Sequence, residues 1–347
     1  MSIEGGRPFG GFSKPTSDGP HGSHQADERG SDSRFNHHWD NAGASIFEAS
    51  YVAKKGVTMI AITGASGQLG ELVIKALLKN TRPDQIVAAV RNPEKANALK
   101  PLGVQIRHAD YDKPETLAEA FRGVEKLLLI SAVIPGERLR QHRTAIDAAK
   151  KAGVRVIAYT SLLRADSSDL ALAAEHKATE EYLKKSGIRF ILLRNGWYLE
   201  NHTAALSAAV QNGAIIGSAG EGRFASASRA DYAEAAAVVL TQPSHENKVY
   251  ELAGDSSFTL SDLADEVTKQ SGTNVEYRNL PPSEYEAALL GFGLPRMVVD
   301  VIVDADLKAR NGALNSSSRD LSVLIGRPTT ALTEAVATAL RNTKGAL

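Results

Sequence analysis

The chain has 347 residues, with Lys+Arg and Asp+Glu at 40 each and a formal net charge of zero. That balance points to no general affinity for nucleic acid or anionic membrane, and the absence of cysteine excludes disulfides, thiolate metal sites and a cysteine nucleophile. With 43% hydrophobic and 23% charged residues, and no apolar run of about 18 residues, the chain reads as an ordinary globular protein without a membrane span.

Residues 1–57 hold only four of Ile, Leu and Val (Ile3, Ile46, Val52, Val57) and are rich in Gly, Ser, Asp and His. Such a segment buries too little apolar surface to offset chain entropy, so a disordered leader is expected. It lacks the apolar stretch of a signal peptide, which makes the cytoplasm the expected location. His21, His24, His37 and His38 read as incidental histidines of a polar tail, not as a metal site. Met59 stands directly before the first strand, and whether the leader is a genuine extension or the product of an upstream start is left open.

From Met59 onward strand and helix signals alternate. Residues 59–63 form a short apolar strand, and 68–79 follow with helical periodicity at Leu69, Val73, Ala76 and Leu77. The pattern predicts a strand over 86–90, a proline-opened helix over 93–100, a strand over 104–107 and a helix over 114–121. The run Leu127-Leu128-Leu129-Ile130 makes 126–130 a buried central strand. Helix 137–152, strand 154–160, helix 171–186 and strand 189–193 complete the alternation. Strands separated by helices of this length imply a parallel sheet covered on both faces, and right-handed crossovers make it doubly wound. Beyond Gly196 the rhythm loosens, with helices over 198–211, 230–240, 260–271, 282–292 and 330–340 and strands over 249–252 and 275–278. The expected fold is α/β: a Rossmann doubly wound parallel sheet over 58–196 binds the dinucleotide. A smaller C-terminal α/β lobe over 197–347 takes the substrate and returns some segments to the sheet.

The turn Gly64-Ala65-Ser66-Gly67-Gln68-Leu69-Gly70 follows the first strand and opens the first helix. In that context Gly64 allows a tight turn, Gly67 lets the backbone approach a pyrophosphate, and Gly70 permits close helix–strand packing. The helix N-terminus adds unpaired N–H groups and a partial positive charge. The end of the second strand decides which dinucleotide. An NAD enzyme places Asp or Glu there for the ribose 2′-hydroxyl, whereas this chain has Ala88-Ala89-Val90-Arg91-Asn92 and no carboxylate before Glu94. Arg91 can pair with a 2′-phosphate through its fork of donors, so the cofactor expected is NADPH. Asp110, after the third strand, is placed to bond the adenine amino group, and Ser131, after the fourth, lines the nicotinamide ribose.

The Tyr-x-x-x-Lys pair of the typical short-chain dehydrogenase is absent: Tyr159 is followed four residues later by Leu163. Alcohol–ketone chemistry therefore lacks its general acid, which leaves an acceptor reduced by direct hydride delivery, or binding without chemistry.

With the loop, the turn Val90-Arg91-Asn92-Pro93, and the blocks Leu193-Arg194-Asn195-Gly196-Trp197-Tyr198, Ile157–Leu163, Arg229-Ala230-Asp231-Tyr232 and Lys248–Asp255 in view, the chain resembles a known group. It is similar to the NmrA-like atypical short-chain dehydrogenases, and among them to the bacterial NAD(P)H:quinone oxidoreductases of type 2, from Met59 to about Leu340. The resemblance implies NADPH in a cleft between two domains and reduction of a small-molecule quinone by hydride from nicotinamide C4. Carried onto this sequence it implies cofactor contacts at Gly64–Leu69, Arg91, Ser131 and Ala132. Asn195, Gly196, Trp197, Tyr198, Leu199, Glu200 and Arg229 would close the nicotinamide side. In residue terms Asn195 can bond the carboxamide or the substrate oxygen, and Trp197 or Tyr198 can stack a planar quinone or serve as core aromatics. His176 is the best ionisable candidate for a proton donor, against an ordinary place on a helix surface. No metal is implied, and the oligomer expected is a monomer or homodimer. Two other readings stand beside quinone reduction. One is an NADP-binding redox sensor that turns nothing over; the other is a reductase of another planar acceptor such as a triphenylmethane dye.

Overall fold

The computed structural model describes residues 58–344, so the expectations for the leader and its histidines lie outside the described residues. In chain order the strands are β1 (Ile60–Thr63), β2 (Ile86–Val90), β3 (Gln105–His108), β4 (Lys126–Leu129), β5 (Val156–Leu162), β6 (Arg189–Asn195), β7 (Ala214–Gly217), β8 (Lys248–Leu252) and β9 (Glu276–Asn279). The helices are α1 (Gln68–Leu77), α2 (Pro114–Ala120), α3 (Arg138–Lys151), α4 (Ala173–Lys185), α5 (Leu199–Thr203), α6 (Leu206–Asn212), α7 (Arg229–Thr241), α8 (Leu260–Ser271), α9 (Pro282–Gly291), α10 (Arg296–Ala309), α11 (Asp320–Ile325) and α12 (Leu332–Lys344). Seven strands form one sheet in the order β3-β2-β1-β4-β5-β6-β8, with every pair parallel. The order reverses between β1 and β4, which is where a doubly wound sheet opens a crevice at its strand C-termini.

Burial on both faces explains the near-continuous apolar strands. Ile60 and Ile62 point into a core shared with Val73, Ile74 and Leu77 of α1 and Tyr232 and Val239 of α7. Ala61, Leu127, Leu129 and Tyr159 point the other way, onto Leu117, Phe121, Ile146 and Leu183. Sequence beyond Gly196 serves two places: β8 joins the main sheet, while β7 and β9 pair in a small sheet of their own. A third core lies under those later segments, around Leu199, Leu206, Phe224, Phe258, Val267, Leu314 and Val336.

Several elements depart from expectation. Residues 93–100 are two 3₁₀ turns, Pro93–Lys95 and Asn97–Leu102, because Pro101 interrupts the second and Gly103 (φ 72°) turns left-handed after it. The helix expected over 198–211 breaks at Ala204 and Ala205, and the break lets both Leu199 and Leu206 reach the third core. β7, α10 and α11 are additional. The run Val298-Val299-Asp300-Val301-Ile302-Val303 hides α10, since β-branched residues weaken a helical signal.

One buried charge holds the C-terminal ends of the sheet together. Arg194 on β6 is 5% exposed. Its Nε and Nη2 donate to Glu180 of α4 at 2.9 and 2.7 Å, and its Nη1 to Asp166 at 2.9 Å and to Glu251 of β8 at 2.8 Å. Ser161 of β5 donates to the same Glu180 at 2.6 Å. Removing the cation strands a buried carboxylate. Arg194→Leu is therefore expected to cost about 3–5 kcal/mol of stability, seen as a lower urea midpoint, and an unchanged midpoint would contradict this role.

Candidate functional site

The crevice is built first by glycine. Gly64 adopts φ +59° directly after β1, a conformation that other residues enter at a cost. The Gly67 amide donates to the Gly64 carbonyl oxygen at 3.0 Å and closes the turn. A Cβ at Gly70 would lie 2.5 Å from that same oxygen and 2.7 Å from the Ala65 Cα, so only glycine lets α1 come this close. Ala65 and Leu69 face inward, while Ser66, Gly67 and Gln68 are exposed. No side chain caps α1, which leaves its N-terminal donors and dipole for an external anion.

At the next strand end Arg91 and Asn92 are both exposed, and Asn92 caps the Glu94 amide at 3.0 Å. The half-buried Asp110 spends one carboxylate oxygen on the Asp112 amide at 3.1 Å, shaping the turn after β3. Asp112 is held below the usual carboxylate range by hydrogen bonds from Arg140 and then Gln141, with a smaller pull from Arg91. After β4, the Ser131 amide donates to Thr160 Oγ1 at 2.8 Å and the Ala132 amide to His142 Nε2 at 2.9 Å.

The end of β6 supplies the opposite wall. Asn195 is 5% exposed, and its Oδ1 has no hydrogen-bond partner among the described residues. A buried acceptor left in this state fits the amide donor of a ligand. The Gly196 amide donates to the Leu252 carbonyl oxygen at 2.8 Å. Tyr198 meets the Tyr232 ring edge-on at 5.3 Å, and the Arg229 guanidinium covers its face at 4.7 Å. Tyr198 packs against the core that includes Tyr232 of α7 and Leu193 of β6. Glu200 accepts the Arg229 amide at 2.9 and 3.1 Å, and Arg229 Nη2 donates to Asn201 at 2.9 Å. The half-buried Trp197 packs at the edge of the third core.

Two residues differ from their expected settings. The Leu199 side chain lies in the third core, 1% exposed, so this residue joins the segment but turns away from the crevice. His176 sits on the buried face of α4, with Nδ1 2.7 Å from the Tyr159 hydroxyl. Burial, aided by the positive charge of Arg138, pushes its pKa well below 6.5. It is neither an ordinary surface residue nor an ionised acid at neutral pH. Burial likewise pushes His142 down to about 3. The residues sequence reasoning missed are His142, Arg138, Thr160 and Asn201. Only the one-turn spacing of Arg138 and His142 on an otherwise polar helix hints at any of them.

With this geometry in place, comparison with known proteins is informative. Residues 64–243 match the NAD(P)H-binding family. Quinone oxidoreductase 2 of Escherichia coli (strain K12) is 56% identical over 278 residues, 80% of this chain and 97% of that protein. The NAD(P)H azoreductase of Xenophilus azovorans is 26% identical over 70% of this chain and 85% of its own. The crystal structure of the Escherichia coli NADPH-dependent quinone oxidoreductase complexed with NADPH is similar at a TM-score of 0.79 and 55% identity, covering 81% of this chain and all of that one. The Citrobacter sp. triphenylmethane reductase complexed with NADP(H) is similar at a TM-score of 0.78 and 39% identity, covering 81% of this chain and 99% of that one.

The Gly70 contact gives a direct test of the crevice. Gly70→Ala is expected to push α1 off the turn and weaken dinucleotide binding at least about tenfold, read by fluorescence titration. Wild-type affinity in this variant would contradict the geometry.

Proposed function

We propose, from the premise that the chain belongs to the NAD(P)H-binding family and to its NmrA-like quinone oxidoreductase 2 group, that it is an NADPH-dependent quinone reductase. One observation carries the reading: the 56% identity to quinone oxidoreductase 2 runs over 278 residues, 80% of this chain and 97% of that protein. The residues present fit the cofactor, because α1 offers uncapped N-terminal donors and Asn195 a buried, unpaired acceptor.

When bound, NADPH supplies a hydride from C4 of its nicotinamide. The chain does the holding. Gly64, Ala65, Ser66, Gly67, Gln68 and Leu69 wrap the diphosphate with backbone groups, and Arg91 pairs with the 2′-phosphate. Asp110 orders the adenine turn, and Ser131 and Ala132 line the ribose. Asn195 Oδ1 would accept the carboxamide N–H, while Gly196, Trp197, Tyr198, Glu200 and Arg229 would form the wall beyond it. Since Arg229 already covers the Tyr198 face, stacking on the quinone falls to Trp197. Water supplies the protons for the quinone oxygens, because the buried His176 is neutral and bonded to Tyr159. Catalysis then rests on proximity and orientation, not on acid–base work.

Two outcomes follow. Purified protein is expected to oxidise NADPH only when a quinone is supplied, at a rate nearly flat from about pH 6 to 8, since neither His142 nor His176 titrates there. Tight NADPH binding with no turnover on any quinone would replace the enzyme by a redox sensor. The 39% identity to triphenylmethane reductase makes a triphenylmethane dye the second acceptor to try. Separately, Arg91→Ala is expected to weaken NADPH by about 1.5–3 kcal/mol, the loss of a charge-assisted bond, and to leave NADH nearly unaffected. Equal weakening of both dinucleotides in calorimetric titrations would count against a 2′-phosphate role.

A further inference from the structure

The loop after β4, residues 131–136, is gripped by two helices. Both backbone groups of Ala132 are taken by side chains of α3: its N–H donates to His142 Nε2 at 2.9 Å, and its carbonyl oxygen accepts from Arg138 Nε at 2.8 Å. Those side chains stand one turn apart and are 0% and 5% exposed. Each is fixed in turn by α4. His142 Nδ1 lies 3.0 Å from Thr179 Oγ1, Arg138 Nη1 donates to Glu175 Oε2 at 2.8 Å, and Glu175 Oε1 accepts the Gly136 amide at 3.0 Å. An amide N–H can only donate, so His142 Nε2 is the acceptor and the ring proton rests on Nδ1. Thr179 receives that proton and donates its own to the Glu175 carbonyl oxygen at 2.8 Å. The direction of every bond is therefore set, and a proton on Nε2 would face a donor.

This grip does not serve to bury the loop. Val133 is 83% exposed and Ile134 37%, although both would gain by turning inward. Buried polar side chains hold the backbone while its apolar side chains stand outside, in the loop beside the switch between β1 and β4. A preset backbone beside exposed apolar groups is what a ligand needs and what a stabilising loop does not.

We propose that His142 and Arg138, braced by Thr179 and Glu175, are positioning residues that hold the 131–136 loop in its dinucleotide-binding shape before NADPH arrives. The proposal rests on the reading above that Ser131 and Ala132 line the ribose. Neither positioning side chain touches the cofactor. They act by removing the ordering cost of the loop, so their loss appears in binding and not in the rate of the bound complex.

The test compares NADPH dissociation constants, kcat and urea midpoints for wild type, His142→Ala and His142→Gln. His142→Ala is expected to raise the NADPH Kd about tenfold with kcat at saturating NADPH within about twofold. His142→Gln, whose Oε1 accepts the Ala132 amide, is expected to recover most of the affinity. Should the alanine variant fail to fold, Thr179→Val removes the acceptor that fixes the His142 tautomer, keeps the side-chain volume, and is expected to raise Kd in the same direction. A wild-type Kd in the variant that folds, a loss confined to kcat, or equal losses for alanine and glutamine would each overturn the proposal. Because the readout is binding, a wild type that binds NADPH but reduces no quinone refutes the proposed function and leaves this comparison decisive.

Discussion

A single distance of approach governs the arrangement: a Cβ at Gly70 would lie 2.5 Å from the carbonyl oxygen of Gly64. Because hydrogen alone stands there, α1 leaves β1 after one tight turn, and its uncapped N-terminus points into the opening between β1 and β4. The strand order then brings the remaining parts to that point. β2 and β3 carry Arg91 and Asp110 to one side, while β4 and β6 carry Ser131 and Asn195 to the other. A bulkier residue at position 70 would misplace the whole crevice.

Charge is divided between two layers. Full charges appear where the fold needs tension: Arg194 binds three carboxylates and joins α4 to β6 and β8. Around the loop after β4 the imidazoles are neutral, because burial pushes His142 and His176 far below their ordinary range. The grip on that loop combines the neutral His142 imidazole with the ion pair of buried Arg138 and Glu175, each with fixed hydrogen-bond directions.

Much of the fold was legible because its rules are local. The continuous apolar runs of β2 and β4 announce a sheet covered on both faces. The expected range 260–271 matches α8, which the structure shows capped by Thr259 and ended by the left-handed Gly272. α10 was not legible, since its β-branched residues write a strand-like pattern that tertiary packing overrides. The glycine turn was legible, because its geometry depends on backbone conformation and a fixed spacing along one βαβ unit. His142 and Arg138 gave almost no signal: their partners lie on another helix and in a loop, and meet only after folding. The surface alternative for His176, drawn from its polar neighbours Glu175 and Glu180, is overturned by burial. The true context of this residue is the stripe Ala173, His176, Thr179, Glu180 and Leu183, which is the buried face of α4. Leu199 is the reverse case, a core side chain inside the segment expected to close the nicotinamide side.

The proposed function requires dinucleotide held by backbone groups at the α1 N-terminus and between the loops after β4 and β6. Amide hydrogen exchange with and without NADPH addresses this directly. Added NADPH is expected to slow exchange in residues 64–70, 131–136 and 195–200 together, while the face formed by β7 and β9 stays unchanged. Protection elsewhere, with residues 64–70 exchanging as fast as in the free protein, would contradict the account.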